Sequence, residues 1–132
     1  MSNDGPDLKT SYMGIELKNP VMPSAGPMTK DIDSARSMED AGASAVVVYS
    51  LFEEQVRHEH ERLDHLDSSA DSFAESLSYF PNMGNLADES LDSYFELLRK
   101  AVEAVDIPVI ASLNGTSREG WVDYARQMES AG

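Results

Sequence analysis

Ala43 to Ser50 reads Ala-Ser-Ala-Val-Val-Val-Tyr-Ser, apolar without alternation and rich in β-branched residues. A strand of this kind is covered on both faces, which is the condition of a parallel sheet wrapped by helices. Ile107 to Leu113 has the same character, with Pro108 tolerated at its opening. Val21 to Gly26, punctuated by Asn19-Pro20 and ending in small residues, reads as a shorter first strand.

Helical spacing fills the intervals. Ile32, Ala35, Met38 and Ala41 form one stripe, and Gly42 supplies a C-terminal stop. Leu91, Tyr94, Phe95, Leu98, Ala101, Val102 and Val105 follow i, i+3, i+4 spacing, with Asp88 or Ser90 as candidate caps. Ser117 can cap a last helix that carries Trp121, Val122, Ala125 and Met128 on one face. At the other end, residues 1–7 are expected to be a disordered tail, and Leu8 to Leu17 reads as two short extended pieces turning at Met13-Gly14. The order is hairpin, strand, helix, strand, long segment, helix, strand, helix. That alternation predicts an α/β fold with three parallel strands between helices.

A repeat sharpens this reading. Met38-Glu39-Asp40-Ala41-Gly42 closes the first helix and Met128-Glu129-Ser130-Ala131-Gly132 closes the last. In the first instance a buried strand follows. In the second the sequence stops at the turn, so the expectation is a partial α/β domain over 8–132, truncated before its fourth strand.

Phe52 to Asn85 is long, polar and acidic, with local helical spacing from Glu53 to Leu66 and a turn cluster at 81–84. Segments of this length inside compact domains usually carry function, and an elaborated loop at about 52–85 is expected. The chain has 24 Asp and Glu against 10 Lys and Arg, a net charge of -14. With no basic patch, such a surface repels nucleic acid and anionic lipid. There is no cysteine, hence no disulfide, thiolate metal site or cysteine nucleophile. Neither a secretory signal nor a spanning segment is legible, and a cytoplasmic location is the default.

Tyr12-Met13-Gly14-Ile15-Glu16-Leu17-Lys18-Asn19-Pro20, continued through Val21 to Gly26, resembles the start of the dihydroorotate dehydrogenase family. Ala41 to Gln55 and Asp106 to Gly115 are similar to its dihydroorotate dehydrogenase-like branch. The resemblance runs from Leu8 onward, and it implies the N-terminal portion of a (β/α)8 TIM barrel with FMN at the carboxyl ends of the strands. By implication the whole protein is a flavin-dependent oxidoreductase acting on CH–CH groups of a small-molecule substrate, as in pyrimidine biosynthesis. The family's catalytic base and phosphate-binding loops would fall beyond Gly132, which leaves the catalytic residues unassigned and the fragment alone inactive.

On that resemblance the cofactor-binding candidates are Ser24, Ala25, Gly26, Ser50 and Asn114. Small residues at 24–26 leave room for an isoalloxazine ring, although a tight strand-to-loop turn explains them equally. Asn114 offers a carboxamide, and Asn-Gly is also a common turn signal. Tyr49 departs from the family, which typically carries a lysine there. Lys30, on the loop after the first strand, is a candidate replacement, with an exposed loop lysine as the plainer description. The asparagine-rich substrate signature is poorly matched, since Ser76 to Gly84 offers only Asn82.

Other constellations are weaker. His58, His60 and His65 have neither an i, i+4 pair nor HExxH spacing, so a solvated segment is preferred to a metal site. Trp121 and the Tyr94–Phe95 pair are read as core. The alternative to a flavoenzyme is a non-redox barrel that binds a phosphorylated ligand or a protein partner. Either form is compatible with a homo-oligomer.

Overall fold

The computed structural model describes residues 5–70 and 86–132. A hairpin opens it: β1 (Thr10–Tyr12) pairs antiparallel with β2 (Ile15–Leu17), Tyr12 opposite Ile15. Met13 and Gly14 turn the chain with φ of 52° and 77°. Two successive positive φ values mark the I′-type turn that suits the right-handed twist of a two-residue hairpin.

Helix α1 (Ile32–Asp40) begins where Asp31 accepts a hydrogen bond from the Ser34 amide and ends before Gly42, whose φ is 98°. Ala43 N–H then donates to Met38, and Ser44 donates through both its amide and its hydroxyl to Val21. These two residues finish the turn, so β3 (Val46–Phe52) starts three residues later than the apolar run. Helix α2 (Glu53–Ala70) follows directly. The loop expected from residue 52 is therefore helical as far as Ala70, because the 3.6-residue spacing from Glu53 onward outweighs the segment's polarity. Arg57–Glu61 and Arg62–Glu59 pairs on its exposed side add a few tenths of a kcal/mol each. The 81–84 turn and Asn82 lie outside the described residues.

Helix α3 (Leu86–Ala104) starts ahead of Asp88 and Ser90, so both stand within its first turns and neither is a cap. Strand β4 (Val109–Asn114) and helix α4 (Arg118–Ala131) complete the order. β3 and β4 are neighbours in one sheet. Val46 N–H donates to Pro108, and the Ser50 and Ser112 hydroxyls meet at 2.8 Å. Both links join residues 62 apart, so the strands run in the same direction.

Only two of the three expected parallel strands are regular. Residues 21–24 run alongside β3, with Val21 and Pro23 accepting from Ser44 and Val47. Pro20 and Pro23 have no N–H, and the Val21 amide donates to the Asn19 side chain, so the segment accepts but cannot complete a ladder.

The chain divides into two compact units. Residues 1–50, 97–112 and 132 form one, and 51–96 with 113–131 form the other. In the first, Ala35, Ala43, Ala45, Val46, Val48, Leu98, Ala101 and Val105 are buried. In the second, Tyr94 is 1% exposed and packs edge-on against Phe95, with ring centres 5.8 Å apart. Trp121 departs from its expected core role and is 49% exposed. Its indole lies against Gly115, where a Cβ would approach within 2.7 Å, so the ring covers a glycine instead of entering a core. Among the described residues no helix is long and apolar enough to cross a membrane.

Candidate functional site

In the first unit, the small-residue loop is held by Thr29. Its hydroxyl donates to the Gly26 carbonyl at 2.9 Å and accepts from the Gly26 amide at 3.3 Å, and Thr29 is buried. Gly26 has an extended φ of 179°, and an added Cβ would meet only the Ser24 carbonyl at 3.9 Å. Neither strain nor crowding from the chain's own atoms requires glycine there. Lys30 follows at once, and its Nζ stands 5.4 Å from the centre of the Tyr49 ring. That is cation–π distance. Burial pushes the Tyr49 phenol above its ordinary pKa.

Ser50 is half-buried, and its hydroxyl is bonded to that of Ser112 on the neighbouring strand. Alternate residues of a strand leave on opposite faces, so Ser50 and Tyr49 present their side chains to different sides of β3. Among the sequence-stated candidates, Ser24, Ala25, Gly26 and Ser50 belong to the first unit, and Asn114 belongs to the second as the exposed last residue of β4. Ser112 is not among those candidates, although a serine near the end of each buried strand was the available signal.

The second unit contains a polar cluster that the sequence did not announce. Glu53, the first residue of α2, is 8% exposed, and its carboxylate accepts from the amides of Thr116 and Ser117 and from the Ser117 hydroxyl. The Ser117 hydroxyl in turn accepts from the Gly120 amide at 3.0 Å, which is the helix cap expected for α4. The Ser117 hydroxyl, then the Ser117 and Thr116 amides, hold the Glu53 carboxyl at about 2, well below its usual 4.5. Nearby, burial and then the Glu53 charge push the Tyr124 phenol up. A carboxylate at a helix N-terminus also meets the positive end of the macrodipole. The cluster is a fixed anion already satisfied by its own chain, so its chemistry is positional: it ties the start of α2 to the start of α4.

Comparisons with known proteins fall in one group. Over 126 residues the chain is 27% identical to dihydroorotate dehydrogenase B (NAD(+)), catalytic subunit, of Methanocaldococcus jannaschii, covering 92% of this chain and 38% of that protein. It is 27% identical to the NAD-dependent dihydropyrimidine dehydrogenase subunit PreA of Escherichia coli, over 96% of this chain and 30% of that one. A putative dihydroorotate dehydrogenase A (fumarate) of Aeropyrum pernix is 30% identical over 96% of this chain and 39% of its own length. The chain thus spans 30–39% of the length of these relatives. No family model matches, and no solved structure matches.

Proposed function

This chain is related to the dihydroorotate dehydrogenase family, and from that premise we propose that it forms the leading strands of a (β/α)8 barrel that holds FMN in an oxidoreductase. The observation that carries the reading is the match along 92–96% of the chain to relatives each named as a dehydrogenase of a dihydro compound. The reaction would move a hydride between a small-molecule substrate and the flavin, in the cytoplasm.

The residues present suit the flavin ring. Ser24, Ala25 and Gly26 are small, and space above Gly26 is open to a further heavy atom. Lys30 and the Tyr49 ring stand together beyond that loop. Bound FMN would supply the two-electron acceptor, as cofactors generally supply the chemistry that side chains lack. The chain's own part would be to seat the ring against the 24–26 backbone and to keep β3 and β4 in register through Ser50 and Ser112.

Fluorescence titration with FMN tests this. Quenching of flavin emission on binding to the purified natural protein, with a yellow preparation, is the expected result. A folded protein that stays colourless and leaves FMN emission unchanged would sink it and favour the second reading, a barrel that binds a phosphorylated ligand or a protein partner without redox chemistry. Tyr49, standing where the family typically carries lysine, is the observation on that side.

A further inference from the structure

Asn114 and Gly115 form the one Asn-Gly step in the sequence. Asn114 is the exposed last residue of β4, and Gly115 begins the turn that leads into α4. The chemistry of such a step is set by what the second residue lacks. Without a Cβ, glycine leaves its amide nitrogen open to approach from the preceding carboxamide, and its backbone rotates freely enough to bring the two together.

The Trp121 indole is what this glycine accommodates. A Cβ at Gly115 would come within 2.7 Å of Cδ1 and Nε1 of Trp121, so a side chain there would displace the ring. Downstream, the Thr116 and Ser117 amides donate to the Glu53 carboxylate, which fixes the turn immediately after Gly115. Both contacts restrain the backbone rotation that would carry the Gly115 nitrogen to the Asn114 side chain. The step is chemically reactive and conformationally held.

We propose that Asn114 is a site of spontaneous deamidation, kept slow by the Trp121 indole over Gly115 and by the turn anchored on Glu53. The Gly115 nitrogen attacks Asn114 Cγ. The N–Cγ bond forms, the Cγ–Nδ2 bond breaks, and Nδ2 takes the Gly115 amide proton and leaves as ammonia. Water then opens the resulting succinimide at either of its carbonyls, giving aspartate or isoaspartate, with no transfer of electrons. Each product adds a negative charge at the end of β4, and isoaspartate also lengthens the link to α4 by a methylene. The inference stands apart from the flavin reading, because it uses only Asn114, the turn that follows and the residues that hold that turn.

The experiment incubates the natural protein in mildly alkaline buffer, with and without denaturing urea, beside Trp121→Leu, Glu53→Gln, Val122→Ala and Asn114→Gln variants without urea. Peptide mapping by mass spectrometry follows loss of the amide at 114, and labelling by an isoaspartyl methyltransferase follows isoaspartate. Conversion in urea is expected to be about tenfold faster than in the folded natural protein, since the reaction there needs no local opening. Trp121→Leu and Glu53→Gln should each move several-fold toward the urea rate. Val122 is an exposed neighbour on α4, so Val122→Ala should keep the natural rate, and Asn114→Gln should abolish the signal. Far-ultraviolet circular dichroism checks that each variant is folded, and if Trp121→Leu is not, Glu53→Gln carries the same comparison. Absence of isoaspartate at 114 in urea overturns the site. Equal rates with and without urea, or folded variants at Trp121 and Glu53 that convert at the natural rate, overturn the hold. Acceleration in Val122→Ala equal to theirs also overturns it, because a general loosening of α4 would then be the cause.

Discussion

The Glu53 carboxylate takes its hydrogen bonds from Ser117, 64 residues away, through both the backbone amide and the hydroxyl. A group held this way is charged in the folded state down to about pH 2, whereas its unfolded counterpart protonates near 4.5. Its folded pKa is depressed, so its contribution to stability is fully present above 4.5 and is lost as pH falls toward 2. Urea midpoints measured between pH 7 and 2.5 should decline more steeply in the natural protein than in Glu53→Gln. Parallel curves would dismiss the role.

Gly120 stands where a Cβ would collide with the Glu53 carboxyl group. In an open helix, glycine to alanine is stabilising by about 1 kcal/mol. Here Gly120→Ala should instead lower the urea midpoint, because Glu53 must surrender its partners to make room. The same change made on a Glu53→Ala background should recover the ordinary helical gain.

Met13 is 62% exposed at a φ of 52°, so its side chain is free of packing and its backbone is in the left-handed region. Met13→Asn should stabilise the hairpin by roughly 1 kcal/mol, since asparagine accepts that conformation more readily. Thermal unfolding followed by circular dichroism would register the gain, and a lower midpoint would contradict the turn geometry.

The hydroxyls of Ser50 and Ser112 should be coupled. A double-mutant cycle with alanine at each position is expected to return an interaction of about 1 kcal/mol, the worth of a typical internal hydrogen bond. Strict additivity would mean the contact does not form in solution.

Leu98 is 3% exposed among Ala101, Val105 and the other buried residues of its unit. Leu98→Ala should cost about 3 kcal/mol from lost transfer energy and the cavity left behind. Chemical denaturation measures it, and a loss below roughly 1 kcal/mol would show that the site collapses around the deletion.

What was legible in the sequence was the set of features written locally. The hairpin at Met13-Gly14, the Gly42 stop, the α3 stripe around Tyr94, Phe95 and Leu98, and the Ser117 cap each depend on residues within a few positions. Boundaries slipped where a side chain took over a backbone partner, as Ser44 does at Val21 ahead of β3. Trp121 was misplaced because helical spacing states which face a residue shares and not what covers it. Of the candidate site, the small loop and Ser50 were nameable, but their partners were not. Ser112 lies 62 residues from Ser50, Lys30 reaches Tyr49 across α1, and Glu53 meets Thr116 and Ser117 across two helices. No local pattern encodes such distances.

Those separations also bear on how the chain is made. A ribosome adds residues in order, and Glu53 emerges more than sixty positions ahead of the groups that receive it. Throughout that interval the nascent chain holds the buried-type run of β3 beside a carboxylate that still requires water. That unmet hydration works against premature burial of the adjoining apolar segment, and it ends when Thr116 and Ser117 arrive.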